Sequence, residues 1–437
     1  MLKVVKFGGS SVASPEQFEK VKNIIESDDA RRIVVVSAAG KKDSSDHKLT
    51  DLLYLLHAHL TYGVSGDDIA GEISARFSEI RRGLKLETPI ESEFDRYASK
   101  LSKDTPVDEL VSRGEYFTSR LMAEYLGFTF VDAADCVFFG SDGHIDKEKS
   151  YAAIQEAYEK FGKIVIPGFY GSLPNGRVKV MSRGGSDISG SLAAAAVSAD
   201  VYENWTDVSG ILMADPRIVD NPRPIPTLTF NELRELAFSG ASVLHEDSVQ
   251  PVRECGIPLN IRNTNRPEDA GTMIVEKASD VDSSNERFIT GIAGRKNFVI
   301  LTVLKHDMSG DELCKALTVL QNYKVPVENI TLGIDTFALV ASEKALGDSL
   351  YEIIADIRKA CRPDDIRTQD GISLVSAVGR KMPFKPGVSG KLFKALGDNN
   401  VNIRTIAQGA DELSIMVGVE NNMFETAIRV LYEGFAG

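Results

Sequence analysis

The chain has only four cysteines, Cys136, Cys255, Cys314 and Cys361, and no two of them stand at a paired spacing. That excludes a disulfide framework and a cysteine-based zinc site, and fits a reducing cytoplasm. No apolar run approaches the roughly 18 residues of a membrane span. The glycines that follow Met-Leu-Lys-Val-Val-Lys leave no room for the apolar core of a signal peptide. Neither a membrane-spanning nor a secreted protein is expected. Clustered Lys and Arg are also missing: the formal net charge is −13, whereas a nucleic-acid surface must concentrate positive charge to neutralise phosphates. His47, His57 and His59 have no nearby cysteine and no His-Glu-x-x-His pattern. They read as ordinary core or surface histidines, not as metal ligands.

What is present is the composition of a folded protein, with 43% hydrophobic and 26% charged residues. At about 150 residues per domain the length suits two or three domains. Leu2, Val4, Val5 and Phe7 make a short strand pattern, and Ile33 to Val36 a run expected of a strand buried on both faces. Between them, Ser14-Pro15-Glu16 followed by Phe18, Val21, Ile24 and Ile25 predicts a capped amphipathic helix with Pro at its first position. Strand, helix, strand opens a parallel α/β sheet. The theme returns at Ile164–Ile166 after a helical stretch at 150–161, and at Val201–Trp205 after the Ala-rich stretch Ser189–Ser198. Residues 1–275 therefore read as one α/β body and the polar stretch 276–290 as a linker.

The remainder repeats itself. Leu320, Val327, Ile330, Gly333 and Asp335 correspond at one constant offset to Leu396, Ile403, Ile406, Gly409 and Asp411. Each copy, at 291–370 and 371–437, reads strand, helix, strand, strand; in the first these are Val299–Leu304, Leu313–Leu320, Val325–Thr331 and Thr336–Ala341.

Two glycine pairs carry the chemistry. Lys6-Phe7-Gly8-Gly9-Ser10-Ser11 ends the first strand and precedes a helix. Glycines there let backbone N–H groups approach an anion, and Lys6 adds a mobile positive charge. The segment is not a Walker A loop, and its bland alternative is a tight strand-to-helix turn. Ser182-Arg183-Gly184-Gly185-Ser186-Asp187 leads into another helix, expected to begin near Ile188–Ser191. An Arg there can clamp a carboxylate, and Asp187 can hold a lysine or a magnesium ion; the alternative is a simple capping pattern.

Those two motifs, with Lys48-Leu49-Thr50-Asp51, Ser112-Arg113-Gly114-Glu115, Thr206-Asp207-Val208-Ser209-Gly210 and Asp215-Pro216-Arg217, follow the order and approximate spacing of aspartate kinases. The chain resembles that family, within the amino-acid kinase superfamily, over almost its whole length. The duplicated tail resembles tandem ACT domains; its alternative is a dimerisation module without a ligand. The resemblance implies an amino-acid kinase fold, a mostly parallel central sheet flanked by helices, followed by two α+β ACT domains. It implies transfer of the ATP γ-phosphate to L-aspartate, with Mg²⁺ held mainly by the nucleotide phosphates and not by a protein metal site. Lys6, Gly8, Gly9 and Asp187 would then serve catalysis. Ser37, Thr50, Glu115, Phe169, Arg183 and Ser186 would surround aspartate, with Arg183 on its α-carboxylate and Glu115 on its ammonium. Lys6, Gly9, Ser10, Thr206, Asp207 and Arg217 would contact the nucleotide. Two positions depart from the pattern: Ser242 stands where many members carry a lysine, and Leu212 where some carry a tyrosine.

The same resemblance implies inhibition by lysine or threonine and a homodimer or homotetramer built through the ACT domains. The candidate effector contacts are Ser309, Gly310, Val327, Glu328 and Thr331. The readings left open are a related carboxylate kinase, such as one acting on glutamate, and a non-catalytic amino-acid sensor.

Overall fold

The computed structural model describes residues 1–437 except Arg183, Ser242, Val243, His245, Ser309, Gly437 and 278–287. The described chain divides into two units. The first is Met1–Ile211, Pro224–Phe230 and Ser242–Asp282; the second is Leu212–Arg223, Asn231–Ala241 and Ser283–Gly437. Two short stretches from within residues 1–275 thus fold with the C-terminal part. No helix among the described residues is long and apolar enough to cross a membrane.

The first unit is built on an eight-stranded sheet. Its strands are β1 (Lys3–Phe7), β2 (Arg31–Val36), β3 (Thr129–Phe130), β4 (Ile164–Pro167), β7 (Val201–Thr206), β8 (Thr227–Thr229), β9 (Leu259–Asn263) and β10 (Thr272–Val275), in the order β3-β4-β2-β1-β7-β9-β10-β8. A separate ribbon pairs β5 (Tyr170–Ser172) with β6 (Val178–Val180). Every neighbour in the large sheet is parallel except β9 and β10. The continuous apolar runs have the expected cause, since Val4, Val5, Phe7 and Ile33 through Val36 are buried without exposed area.

The first helix spans Pro15–Glu26, with Ser14 as its N-cap and Phe18, Val21, Ile24 and Ile25 facing the core. These four join Phe77, Phe94 and Phe117 in one cluster. A second helix, Gly185–Ala196, is almost wholly Gly, Ser and Ala on its inner face. Its small residues permit close approach: a Cβ on Gly190 would collide with the Tyr202 hydroxyl on β7. This helix begins at Gly185, earlier than the sequence pattern suggested, because Gly184 takes up the left-handed conformation (φ 82°) just before it.

The second unit holds a six-stranded antiparallel sheet of β11 (Gly291–Leu304), β12 (Asn329–Leu332), β13 (Thr336–Ser342), β14 (Asp365–Val378), β15 (Thr405–Gln408) and β16 (Ser414–Glu420). Their order is β12-β13-β11-β14-β16-β15. The duplication is real, but β11 and β14 are longer than one repeat needs. Phe298 to Leu304 of β11 pair with β13, while Gly291 to Arg295 pair with Leu374 to Val378 of β14, the half that also pairs with β16. A register shift between Arg295 and Ile300 separates the two halves. Each long strand therefore serves both copies. Separate cores lie under them, one around Leu301, Leu320 and Ile353 and one around Val417, Leu392 and Leu431. Ala214 and Val219, from the stretch Leu212–Arg223, belong to the latter core. The expected linker, 276–290, falls largely outside the described residues.

Candidate active site

In an open α/β sheet, ligands bind beyond the carboxyl ends of the strands, where the strand order reverses. Here that place is set by β1, flanked by β2 and β7. Gly8 and Gly9 follow β1, Ser37 follows β2, Gly168 and Phe169 follow β4, and Thr206 and Asp207 close β7.

The turns interlock through backbone contacts that leave no space for side chains. Gly8 N–H donates to the Trp205 carbonyl at 3.0 Å, and Gly40 N–H to the Gly9 carbonyl at 2.8 Å. A Cβ on Gly40 would stand 2.5 Å from the Gly9 carbonyl carbon, and one on Gly9 would stand 2.9 Å from the Ala38 carbonyl oxygen. Glycine is required at both positions by close approach rather than by a positive φ.

Lys6 ends 2.6 Å from Asp187 Oδ1, so the two glycine motifs converge. Asn204 on β7 completes the group: its amide donates to Asp187 Oδ1 at 2.9 Å, and its Oδ1 accepts from Lys6 Nζ at 3.4 Å. Lys6 and Asn204 are both buried. A cation and an anion in such surroundings persist because they are paired and hydrogen-bonded. Asp187 stands in the first turn of the helix Gly185–Ala196, where the helix dipole favours a negative charge. Asn204 was not anticipated, because within Glu-Asn-Trp-Thr-Asp it reads as one polar residue in a buried strand.

Glu115, on the helix Val107–Leu126, is 4% exposed. Burial pushes its carboxyl up to about 8, and the Ala38 N–H that bonds to it offsets this only in part. Its Oε2 has no hydrogen-bond partner among the described residues. Such an orphan carboxylate oxygen suits an incoming cation. Ala38 joins this side to the phosphate side, since its carbonyl is the atom that Gly9 packs against.

Phe169 adopts φ 76°, a strained conformation for a bulky residue. It is held there by its N–H donating to Ser189 Oγ at 3.0 Å and by Met181 N–H donating to its carbonyl at 2.7 Å. Ser186 is so close to this loop that a Cβ on Gly168 would meet its Oγ at 2.7 Å. Ser37 N–H donates to the Phe7 carbonyl at 3.2 Å, and Thr50 sits in the first turn of the helix Leu49–Thr61. Arg183 lies outside the described residues. On the nucleotide side Ser10 lies in the turn Gly9–Val12, and the Thr206 hydroxyl donates to Asp207 Oδ1 at 3.1 Å.

Residues 1–263 match the model of the amino acid kinase family and residues 375–435 that of an ACT domain. Aspartokinase 3 of Bacillus subtilis (strain 168) is 33% identical over 452 residues, covering 99% of this chain and 98% of that protein. The crystal structure of Clostridium acetobutylicum aspartate kinase is 44% identical, covers 99% of both chains and superposes with a TM-score of 0.90. The chain belongs to the aspartate kinase family. Aspartate kinases are ATP-dependent enzymes with a carboxyl group as acceptor, and the fold found here is the amino-acid kinase fold followed by ACT-type units. E. coli aspartokinase III has been solved with aspartate and ADP in an R-state and with lysine and aspartate in a T-state. At 25% and 26% identity these superpose with TM-scores of 0.78 and 0.76, covering 100% of both chains.

The remaining candidates of this aspartate kinase lie in the second unit. Arg217 makes a bidentate pair with Asp215, its Nη2 at 2.6 Å from Oδ2. Gly310 precedes the helix Asp311–Asn322 with φ 91°. Val327 is partly buried and Thr331 lies on β12. Glu328 is engaged already, with Arg295 Nη2 at 2.7 Å. Ser309, like the departure at Ser242, lies outside the described residues. No group of three or more His, Cys, Asp or Glu able to hold a metal occurs among the described residues.

Proposed function

We propose that the chain transfers the γ-phosphate of ATP to the β-carboxylate of L-aspartate, giving ADP and 4-phospho-L-aspartate, the first step towards lysine, threonine and methionine. The observation that carries this reading is the meeting of Lys6 and Asp187 at 2.6 Å, which brings both glycine turns to one place. The E. coli relative solved with aspartate and ADP supports both substrates.

The acceptor carboxylate is already ionised at neutral pH, so attack on phosphorus requires no general base. The obstacle is bringing two anions together, and catalysis is positioning with charge neutralisation. Lys6 supplies the mobile cation, with Asp187 and Asn204 fixing where its ammonium rests. The Gly8 and Gly9 turn presents backbone to the phosphates. The residues present fit Mg²⁺ carried by the nucleotide, with Asp187 as the carboxylate beside Lys6; when bound, that ion adds positive charge to the phosphates. Glu115 takes the aspartate ammonium and Arg183 its α-carboxylate, with Ser37, Thr50, Phe169 and Ser186 around them. Ser10, Thr206, Asp207 and Arg217 serve the nucleotide.

Residues 1–275 form the catalytic domain in this reading, 276–290 a linker, and 291–370 and 371–437 two ACT domains. The enzyme works in the cytoplasm as a homodimer or homotetramer and is inhibited by lysine or threonine, a reading supported by the lysine-bound E. coli relative. Glu328 accepts an effector ammonium only when Arg295 is displaced.

An ATP-dependent hydroxamate assay tests the proposal. Aspartyl hydroxamate forms with aspartate and not with glutamate, and lysine or threonine suppresses it. Product with glutamate alone identifies a different carboxylate kinase, and no product with either identifies a sensor.

A further inference from the structure

Arg76 lies on the helix Asp67–Gly83 and carries none of the chemistry above, yet its guanidinium is buried, with the side chain 5% exposed. Burying a guanidinium is costly unless it is paired and hydrogen-bonded. Its partners all lie in one loop, the connection from β2 to the helix Leu49–Thr61. Nη1 donates to the His47 carbonyl at 2.7 Å and to Asp46 Oδ1 at 3.0 Å. Nη2 donates to Asp46 Oδ2 at 2.6 Å and to the Gly40 carbonyl. The Asp46 carboxylate in turn accepts the N–H groups of Lys42 and His47, at 2.8 and 2.9 Å. One planar fork thus gathers both ends of the segment 40–47.

The segment sits between the two halves of the site. Ser37 lies just before it and Thr50 just after, both proposed aspartate contacts. At its near end the Gly40 N–H donates to the Gly9 carbonyl, and a Cβ on Gly40 would collide with Gly9. A continuous path runs from the Arg76 guanidinium through the Gly40 peptide to the phosphate turn.

We propose that Arg76 is a positioning residue for phosphoryl transfer, a buried clasp that holds the loop 40–47 so that the aspartate side of the site is in register with the Gly8 and Gly9 turn. This rests on the aspartate kinase reading. Displacing reacting groups by about 1 Å can cost about 100-fold in rate. The Gly8 and Gly9 turn has its own support in the Gly8 to Trp205 and Ser11 to Gly8 hydrogen bonds, so nucleotide binding does not depend on the clasp.

The test begins with the wild-type chain in the hydroxamate assay; failure there overturns the functional reading and the positioning role with it, whereas the arms below overturn the positioning role alone. Given an active wild type, Arg76→Ala is compared at equal folded fraction, measured by circular dichroism. The expected result is kcat lower by about 100-fold, aspartate KM raised, Mg-ADP affinity by titration calorimetry within about twofold, and partial recovery of kcat with added guanidinium chloride below denaturing concentration. A purely structural role lowers the active fraction and leaves aspartate KM unchanged. That outcome, or kcat unchanged in the folded variant, overturns the proposal. Should Arg76→Ala not fold, Asp46→Ala carries the test: raised aspartate KM with kcat lowered supports the clasp, and wild-type kinetics overturn it.

Discussion

The ammonium of Lys6, at the end of β1, rests 2.6 Å from the carboxylate of Asp187, at the start of the helix Gly185–Ala196. Neither residue has another ionic partner among the described residues, and each neutralises the other. A phosphate arriving at the glycine turn competes with Asp187 for Lys6.

Lys6→Ala therefore lowers turnover by at least about 100-fold and leaves the aspartate dissociation constant within about twofold. Steady-state kinetics together with direct aspartate titration check this. Unchanged turnover removes Lys6 from the mechanism.

Asn204→Leu keeps the branched shape of the side chain and deletes both hydrogen bonds of the amide. Hydrogen bonds to charged groups are worth about 1.5–3 kcal/mol each; with one bond's worth lost from the transition state, kcat falls about 10- to 100-fold. A variant with wild-type kcat would show that Lys6 and Asp187 hold their places unaided.

Glu115 gives a pH signature. Its carboxyl, pushed up to about 8 by burial, favours its protonated form at neutral pH. An ammonium beside it favours the ionised form, so aspartate binding at pH 7 releases a proton. Calorimetry in buffers of different ionisation enthalpy measures that release, and Glu115→Gln abolishes it and weakens aspartate binding. Stability shows the opposite face of the same shift. Between the ordinary glutamate range and about 8 the folded state holds a proton that the unfolded chain has lost, so stability declines with rising pH across that window and levels off above it. In Glu115→Gln that decline is absent.

Glu232, whose side chain is 0% exposed, accepts two hydrogen bonds from Arg380 Nη1 at 2.8 and 3.0 Å and one from the Thr290 hydroxyl. Glu232→Ala leaves the Arg380 charge without this partner and should destabilise the second unit by about 3–5 kcal/mol. Urea unfolding of the full chain, followed by a probe in the second unit, reads this; a midpoint equal to wild type contradicts it.

Much of this architecture was legible because local patterns have local causes. Ser14 and Pro15 start a helix where capping chemistry says they should, and the buried run Ile33–Val36 becomes β2. The duplication was visible as matched apolar positions. What was not visible depends on partners distant in sequence. Nothing in Ala214 or Val219 says that they join a core made by residues beyond 280. Asn204 and Arg76 read as ordinary polar positions until Lys6, Asp187 and Asp46 stand next to them. The sequence motifs contain Lys6 and Asp187, whereas Asn204, which bonds to both, comes to them through tertiary contact.

The two long strands, β11 and β14, carry a practical consequence. Because each is half of one repeat and half of the other, a cut at the repeat boundary near residue 371 would split β14 and leave bare edges in the one six-stranded sheet that both copies share. A chimera that borrows effector response from another relative must exchange the whole C-terminal sheet at once, together with the stretches Leu212–Arg223 and Asn231–Ala241 that fold onto it.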